Sequence, residues 1–428
     1  MTSINELYQV FLNSTAVVID TRKITAHSLF IALKGDRFDG NIFAKEALSL
    51  GASAVVIDNP EYYIDNRTIL VADCLVTLQH LASYHRNQLT CPIIALTGSN
   101  GKTTSKELIN VVLSQKYRVK ATVGNLNNHI GVPLTLLSFS QTTEIGIVEM
   151  GANHQKEIEF LCKIAKPDYG YITNFGKAHL EGFGGVEGVI AGKSEMYSYL
   201  IAHSKTVFIN LDDPLQVQKT AVLPQVSFSK SDSKATVVVA NCSANPFVKL
   251  DFEGTTITSH LIGLYNVTNI CIALTVGRFF DVSTILIKEA IEHYVPDNNR
   301  SQLISKNSNK IILDAYNANP SSMIVALDNF MQINDTNKVL IVGDMFELGD
   351  DSHFEHNEIV KYLAKQTNMT CYFIGSAFFK CKFDIENHFF YNSFDDFSAA
   401  LQLIKIENST ILIKGSRGVA LERTLDFL

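Results

Sequence analysis

The chain has 428 residues, 46% hydrophobic and 18% charged, with a net charge of −7. That length calls for two or three domains rather than one core. The acidic balance argues against nonspecific nucleic-acid binding, and no apolar run is long enough to span a bilayer. No basic region followed by an apolar stretch opens the chain, so a cytoplasmic protein is expected, a monomer without nucleic-acid or membrane partners. Seven cysteines are scattered singly and none forms a Cys-x-x-Cys pair. They read as small buried hydrophobes, with neither a zinc site nor a disulfide framework.

In chain order, short β-branched runs alternate with helix-length segments, the signature of parallel sheets with crossover helices. A first block, 1–90, carries expected strands at 16–19, 54–57 and 69–71, then a helical pattern over 75–89 closed by Cys91-Pro92. The second, 91–302, carries strands at 93–96, 146–149, 169–173 and 207–210. It ends near the polar stretch 296–300, after a helix over 283–294. The third, 303–428, carries strands at 311–314, 339–342, 372–374 and 411–413 and has a normal domain size. The expected class is therefore α/β in three domains, the central one with a mainly parallel sheet. The last block opens its 339–342 strand toward a single glycine, Gly343, which is no Gly-x-Gly-x-x-Gly, so no nicotinamide cofactor is assigned to it.

Directly after the apolar run 92–96 comes Thr97-Gly98-Ser99-Asn100-Gly101-Lys102-Thr103-Thr104. A glycine turn before a helix is ordinary by itself. Strand, Gly-Lys-Thr and helix in this order point instead to a phosphate cradle. Backbone N–H groups of residues 98–102 are expected to face one anion, with the helix opening at Ser105, Lys106 and Glu107. Lys102 supplies a full charge for a terminal phosphate, and the Thr103 hydroxyl suits Mg²⁺. Leu96 stands where the long form of the motif has a glycine, so this is a shortened loop.

A metal partner is expected across the sheet. The run Ile145-Gly146-Ile147-Val148-Glu149 is an apolar strand ending in a carboxylate, where α/β sheets place functional groups. Further on, His179 lies in a glycine-rich loop after a strand, a position that favours function over the usual surface or core histidine. Lys193 reads by default as a solvated helix residue. Asp212-Asp213-Pro214 and Asp350-Asp351 read as turn and helix-start acids. Two Asn-rich loops, Asn125-Leu126-Asn127-Asn128-His129 and Tyr316-Asn317-Ala318-Asn319-Pro320, follow strands and suit a polar ligand.

Taken together, these motifs resemble the Mur ligases, the ATP-dependent amide-forming enzymes of peptidoglycan precursor assembly. The likeness covers nearly the whole chain. It adds Thr173-Asn174, Tyr265-Asn266-x-x-Asn269, Arg300 and Lys414-Gly415-Ser416-Arg417 to the motifs above. Residues 32–40, 124–136, 314–323 and 343–349 with His356 are most similar to the members that add D-alanyl-D-alanine. Two departures are Tyr265, where the family often has His, and Asn299, where other members usually have Gly.

The resemblance implies a reaction: UDP-N-acetylmuramoyl-tripeptide, D-alanyl-D-alanine and ATP give the pentapeptide precursor, ADP and phosphate through an acyl phosphate. It implies an N-terminal UDP-binding domain, a central P-loop ATPase and a C-terminal Rossmann-like domain that closes over ATP. ATP is then held by Gly98, Ser99, Asn100, Gly101, Lys102, Thr103, Thr104, Asn266, Asn269, Arg300 and Asn317. Thr103 and Glu149 hold one Mg²⁺, His179 helps hold a second, and Lys193 becomes a carbamylated lysine able to support a metal. Lys102 and Arg300 neutralise charge during phosphoryl transfer. Thr21, Arg22, Lys34 and Phe38-Asp39-Gly40 are assigned to the UDP group, Asn127 and Asn128 to substrate, and Asp344 and Arg417 to the dipeptide side. The rival readings are a folylpolyglutamate-type ligase, a nucleotide switch and a UDP-sugar-binding module. The first lacks the N-terminal block, the second needs an absent Asn-Lys-x-Asp, and the third would be expected to lose Lys102 or Glu149.

Overall fold

A computed structural model describes residues 2–297, 299–366 and 368–428. Met1, at the start of the stretch read for a leader, and Asn298, inside the expected boundary at 296–300, lie outside the described residues. The chain builds three main sheets in sequence. The first is four-stranded and all parallel, in the order Val17–Val18, Leu29–Ile31, Ala54–Ile57, Thr68–Leu70. Its two central strands are buried throughout, as strands covered on both faces must be. The Cys74–Gln88 helix follows, its first turn capped by the Asp73 carboxylate.

The second sheet has nine strands. Val119–Ala121, Ile145–Glu149, Ile93–Thr97, Tyr169–Ile172, Thr206–Asn210, Gln225–Ser229 and Val237–Ala244 run parallel; Phe247–Phe252 and Thr255–Ile262 extend it as an antiparallel ribbon. Only four of these strands are anticipated by the sequence reading. The ribbon escaped it because one face stays wet: along Thr255–Ile262 buried and exposed residues alternate, so no apolar run marks the strand. The Ile93–Thr97 strand lies mid-sheet with all five residues buried, which fixes the height and direction of the loop that follows.

The third sheet runs Gln302–Lys306, Asn309–Asp314, Thr410–Lys414, Lys338–Gly343, Met369–Ile374, His388–Tyr391, parallel except for the first strand. That first strand begins at Gln302, inside the expected central block. The Ser283-capped helix is found at Thr284–His293, close to its expected span. All seven cysteines are free and six are buried, as small hydrophobes would be. Among the described residues no helix is long and apolar enough to cross a membrane.

Candidate active site

The carboxyl ends of the central and C-terminal sheets face one cleft of about 940 Å³. Its walls include the loop after Ile93–Thr97, Glu149, residues 173–176, and Asp314 with Lys414 from the last sheet. Outside the carboxyl ends of parallel strands is where α/β folds bind ligands, because the loops there diverge and helices begin.

Gly101 sits at φ +81° and directly precedes the Lys102–Leu113 helix, which opens three residues earlier than expected. Only glycine fits: a Cβ at 101 would stand 2.5 Å from Asn269 Oδ1. Ser105 N donates to the Gly101 carbonyl (2.8 Å), closing the first helical turn. The N–H groups of Lys102, Thr103 and Thr104 therefore lack intrahelical acceptors and, with the helix dipole, suit an anion. The expected donor set is smaller at its start. Ser99 N donates to the Asn174 carbonyl and Asn100 N to Asn174 Oδ1, both at 3.1 Å, so these two N–H groups hold the loop rather than a ligand.

Lys102 Nζ folds back and donates to the carbonyls of Gly98 (2.6 Å) and Ser99 (3.3 Å). Enclosure in the cleft lowers its pKa to about 8; Glu149 opposes the shift and Arg300 reinforces it. Across the neighbouring strand pair, Leu96 stands in register with Glu149. Glu149 is buried, and its Oε1 accepts from Asn127 Nδ2 (2.8 Å) and Thr103 Oγ1 (3.3 Å). Its Oε2 is buried and, among the described residues, has no partner. An unsatisfied carboxylate oxygen inside a protein is costly, so this one is built for a cation. One carboxylate beside one hydroxyl fits Mg²⁺, which takes few protein ligands and completes its shell with phosphate oxygens and water.

Lys193 is buried rather than solvated, correcting its default reading. Its Nζ donates to the Ala152 carbonyl (3.0 Å) and stands 4.9 Å from the Phe183 ring centre. No carboxylate pairs with it among the described residues. Burial pushes its pKa well below the ordinary lysine value, Lys102 adding to the effect while Glu157 and Glu195 oppose it. A neutral buried amine is the form that reacts with CO₂, so the residue fits carbamylation. His179 lines the cleft, and its Nδ1 pairs with the Glu347 carboxylate of the C-terminal sheet's loop region.

Three more contacts join these parts. Lys177 Nζ pairs with Glu355 (2.6 Å), Lys177 N donates to Ser321 Oγ (2.8 Å), and Asn319 Nδ2 donates to Asn100 Oδ1 (2.8 Å). Arg300 lies over the Tyr316 ring at 3.9 Å and Arg417 at 5.1 Å, and neither guanidinium has a carboxylate partner among the described residues. Lys414 pairs with Asp314 (2.6 Å), whose other oxygen accepts from Ser301 N in the segment between the sheets. Asn317 lines the cleft too. Asn266 and Asn269 also line it, although they bond chiefly within the protein: Asn269 links Ser105 Oγ to Asn266, which donates to the Ile262 carbonyl. Asn128 lines the cleft while its Oδ1 accepts from Ile130 and Gly131 N at the start of a helix.

Gly98, Lys193, Arg417 and Asp344 are not among the residues that line the cleft, and Asp344 is turned to another use. It is buried, and its oxygens accept from Ala377 and Phe378 N (both 2.9 Å) at the start of the Ser376–Lys380 helix. Its carboxylate is thereby spent on the fold and does not line the cleft. The N-terminal candidates gather at the carboxyl edge of their own sheet. Arg22 pairs with Asp20 (2.7 Å), Lys34 with Asp58 (2.8 Å), and Asp39 accepts from Asn41, while Phe38 is 60% exposed. Gly40 is required there, since a Cβ would meet the Leu33 carbonyl at 2.4 Å. Thr21 opens the short turn Thr21–Lys23 beside them. The residues sequence reasoning passed over are Tyr316 as a stacking platform, Ser321, and Asn319 as a contact to the loop. Their signal was the 314–323 stretch, without any hint of what it touches.

Comparison with known proteins agrees with this geometry. Three family models match in order: "Mur ligase family, catalytic domain" over residues 13–86, "Mur ligase middle domain" over 96–277, and "Mur ligase, glutamate ligase domain" over 299–417. The chain belongs to the Mur ligase family. It is 34% identical over 419 residues to the UDP-N-acetylmuramoyl-tripeptide--D-alanyl-D-alanine ligase of Bacillus subtilis, covering 95% of this chain and 91% of that one. A crystal structure of MurF from Acinetobacter baumannii superposes with a TM-score of 0.84 at 29% identity, covering 99% of this chain and 97% of that one. MurF from Thermotoga maritima, in complex with ADP, gives 0.84 at 27%, covering 97% of each. As a Mur ligase this chain is an ATP-dependent, amide-forming enzyme of three α/β domains.

Proposed function

We propose that this Mur ligase joins D-alanyl-D-alanine to the carboxylate of UDP-N-acetylmuramoyl-tripeptide, with cleavage of ATP to ADP and phosphate. Full-length likeness to ligases of that name supports the substrates. The observation that carries the chemistry is the buried Thr103–Glu149 pair with one unsatisfied oxygen, set against the phosphate loop.

A carboxylate is a poor electrophile, so its oxygen first attacks the γ-phosphorus and expels ADP. The dipeptide amine then attacks the acyl carbon, and phosphate leaves with the original carboxylate oxygen. Bringing one anion to another demands charge neutralisation, which Lys102 and Arg300 provide. Thr103 and Glu149 would hold a Mg²⁺ ion, and carbamylated Lys193 with His179 would support a second; the ions supply further positive charge at the phosphates when bound. Asn127 orients Glu149, and Asn266 with Asn269 buttress the loop.

In this reading residues 1–90 hold the UDP group through Thr21, Arg22, Lys34 and the Phe38-Asp39-Gly40 turn. Residues 91–302 cleave ATP, while 303–428 close over the nucleotide through Asn317 and meet the dipeptide with Arg417. The enzyme works in the cytoplasm as a monomer. Phosphate release should require both the UDP-linked tripeptide and a dipeptide ending in D-alanine. Equal turnover with free glutamate or meso-diaminopimelate would move the assignment to a sister ligase.

A further inference from the structure

The loop spends two of its backbone donors on Asn174, and the same residue grips Asn100 from the other side. The Asn100 carbonyl accepts from Thr173 Oγ1 (2.6 Å) and Asn174 Nδ2 (3.0 Å). With its backbone fixed at both ends, Asn100 has only its side chain to offer a ligand in the cleft it lines. That amide has two possible orientations, and Asn319 selects one. Asn319 caps the Pro320–Gln332 helix: its Oδ1 accepts from Ser322 N (2.9 Å), and Ser322 Oγ accepts from Asn319 N in return. With the oxygen committed to the cap, only the Asn319 NH₂ remains to meet Asn100, so Asn100 must present its oxygen there (2.8 Å). Among the described residues no acceptor meets the Asn100 NH₂. It borders a space kept open by Gly176, where a Cβ would lie 3.1 Å from Asn100 Nδ2 and 3.2 Å from Ser321.

We infer that the Asn100 side-chain amide donates a hydrogen bond to the phosphoryl group as it is transferred, and that Asn319 is the positioning residue that aims it. This rests on the reading that ATP transfers its γ-phosphoryl group in this cleft. The two residues are 219 positions apart and belong to different sheets' loop regions.

Asn319→Asp separates aiming from capping. Aspartate caps a helix as well as asparagine does, so helix and fold stay intact. Having no donor, it attracts the Asn100 NH₂ to itself and turns it out of the cleft. We expect kcat for substrate-dependent ATP cleavage to fall about tenfold or more, while the ADP dissociation constant, measured by titration calorimetry, stays within about twofold of wild type. Asn319→Ser, which caps but does not reach Asn100, should also lower kcat, by less than the aspartate. Adding Asn100→Ala to Asn319→Asp should cost little more than either change alone. Wild-type kcat in Asn319→Asp, or losses that simply multiply in the double variant, would overturn the inference and leave the ligase reading standing. No dipeptide-dependent ATP cleavage by the unaltered enzyme would overturn both.

Discussion

At the central cleft Arg300 stacks on Tyr316, with Arg417 farther over the same ring; among the described residues neither has a carboxylate partner, and Glu149 keeps a buried oxygen unpaired. On the N-terminal sheet the same kinds of residue are paired within the protein: Arg22 with Asp20, Lys34 with Asp58, Asp39 with Asn41. The two regions share parallel sheets and functional loops at the carboxyl edge, and differ in what is left unsatisfied. Leaving charge unpaired costs stability, and that cost is recovered when a ligand of opposite charge arrives. The cleft thus holds its unpaired groups in place before any ligand binds. The N-terminal edge holds itself together and offers an exposed aromatic ring, Phe38, with half-exposed charges around it.

The largest effect should follow from emptying the cleft of its cation. Lys102→Ala should lower turnover by about 100-fold or more, since it removes a group that stabilises the developing charge. Wild-type turnover at saturating ATP and Mg²⁺ would separate the organised cleft from the chemistry. Next comes a buried pair at the cleft. Lys414 is buried against Asp314, and Lys414→Met strands that carboxylate, with an expected loss of about 3–5 kcal/mol in the denaturant unfolding of the C-terminal part.

A smaller effect tests the lowered pKa of Lys102. Below about 8 the free enzyme carries the enclosed ammonium and its cost. As pH rises from about 8 toward the ordinary lysine value of 10.5 the proton leaves, the cost disappears, and the charge is lost. Bound polyphosphate favours the charged form, so nucleotide binding near pH 9 should take up protons and weaken as pH rises. Calorimetry in two buffers of different ionisation heat checks this, and buffer-independent heats would contradict it. The smallest effect belongs to the N-terminal edge. Arg22→Ala breaks an exposed pair and should leave Tm within about 2 °C. Its signature should be a raised KM for the UDP-linked substrate with kcat unchanged.

How much of this the sequence carried depends on range. The phosphate loop and Glu149 were legible because strand, turn and carboxylate are local patterns, and neighbouring strands bring their ends together automatically. The Ala54–Ile57 strand was legible for the same reason, being short, apolar and buried on both faces. The ribbon through Val237–Ala244 and Thr255–Ile262 was not, since its outer face is polar and reads as loop. The cap that Asp344 forms was not legible, because a carboxylate just past a strand serves equally as a ligand or as a cap, and the helix at Ser376–Lys380 lies far along the chain. Lys193 shows the converse, an apparently solvated helix residue that tertiary packing buries. The Asn100–Asn319 contact joins residues that no local rule relates.

If the cleft's unpaired charges serve to transfer a phosphoryl group onto a carboxylate, an oxygen of that carboxylate must leave in the phosphate. Tripeptide substrate labelled with ¹⁸O in the reacting carboxylate tests it directly, with the released phosphate read by mass spectrometry. With both carboxylate oxygens labelled, each phosphate released during dipeptide addition should carry one ¹⁸O, brought there by the departing acyl phosphate. Unlabelled phosphate, formed while the dipeptide is being joined, would contradict it.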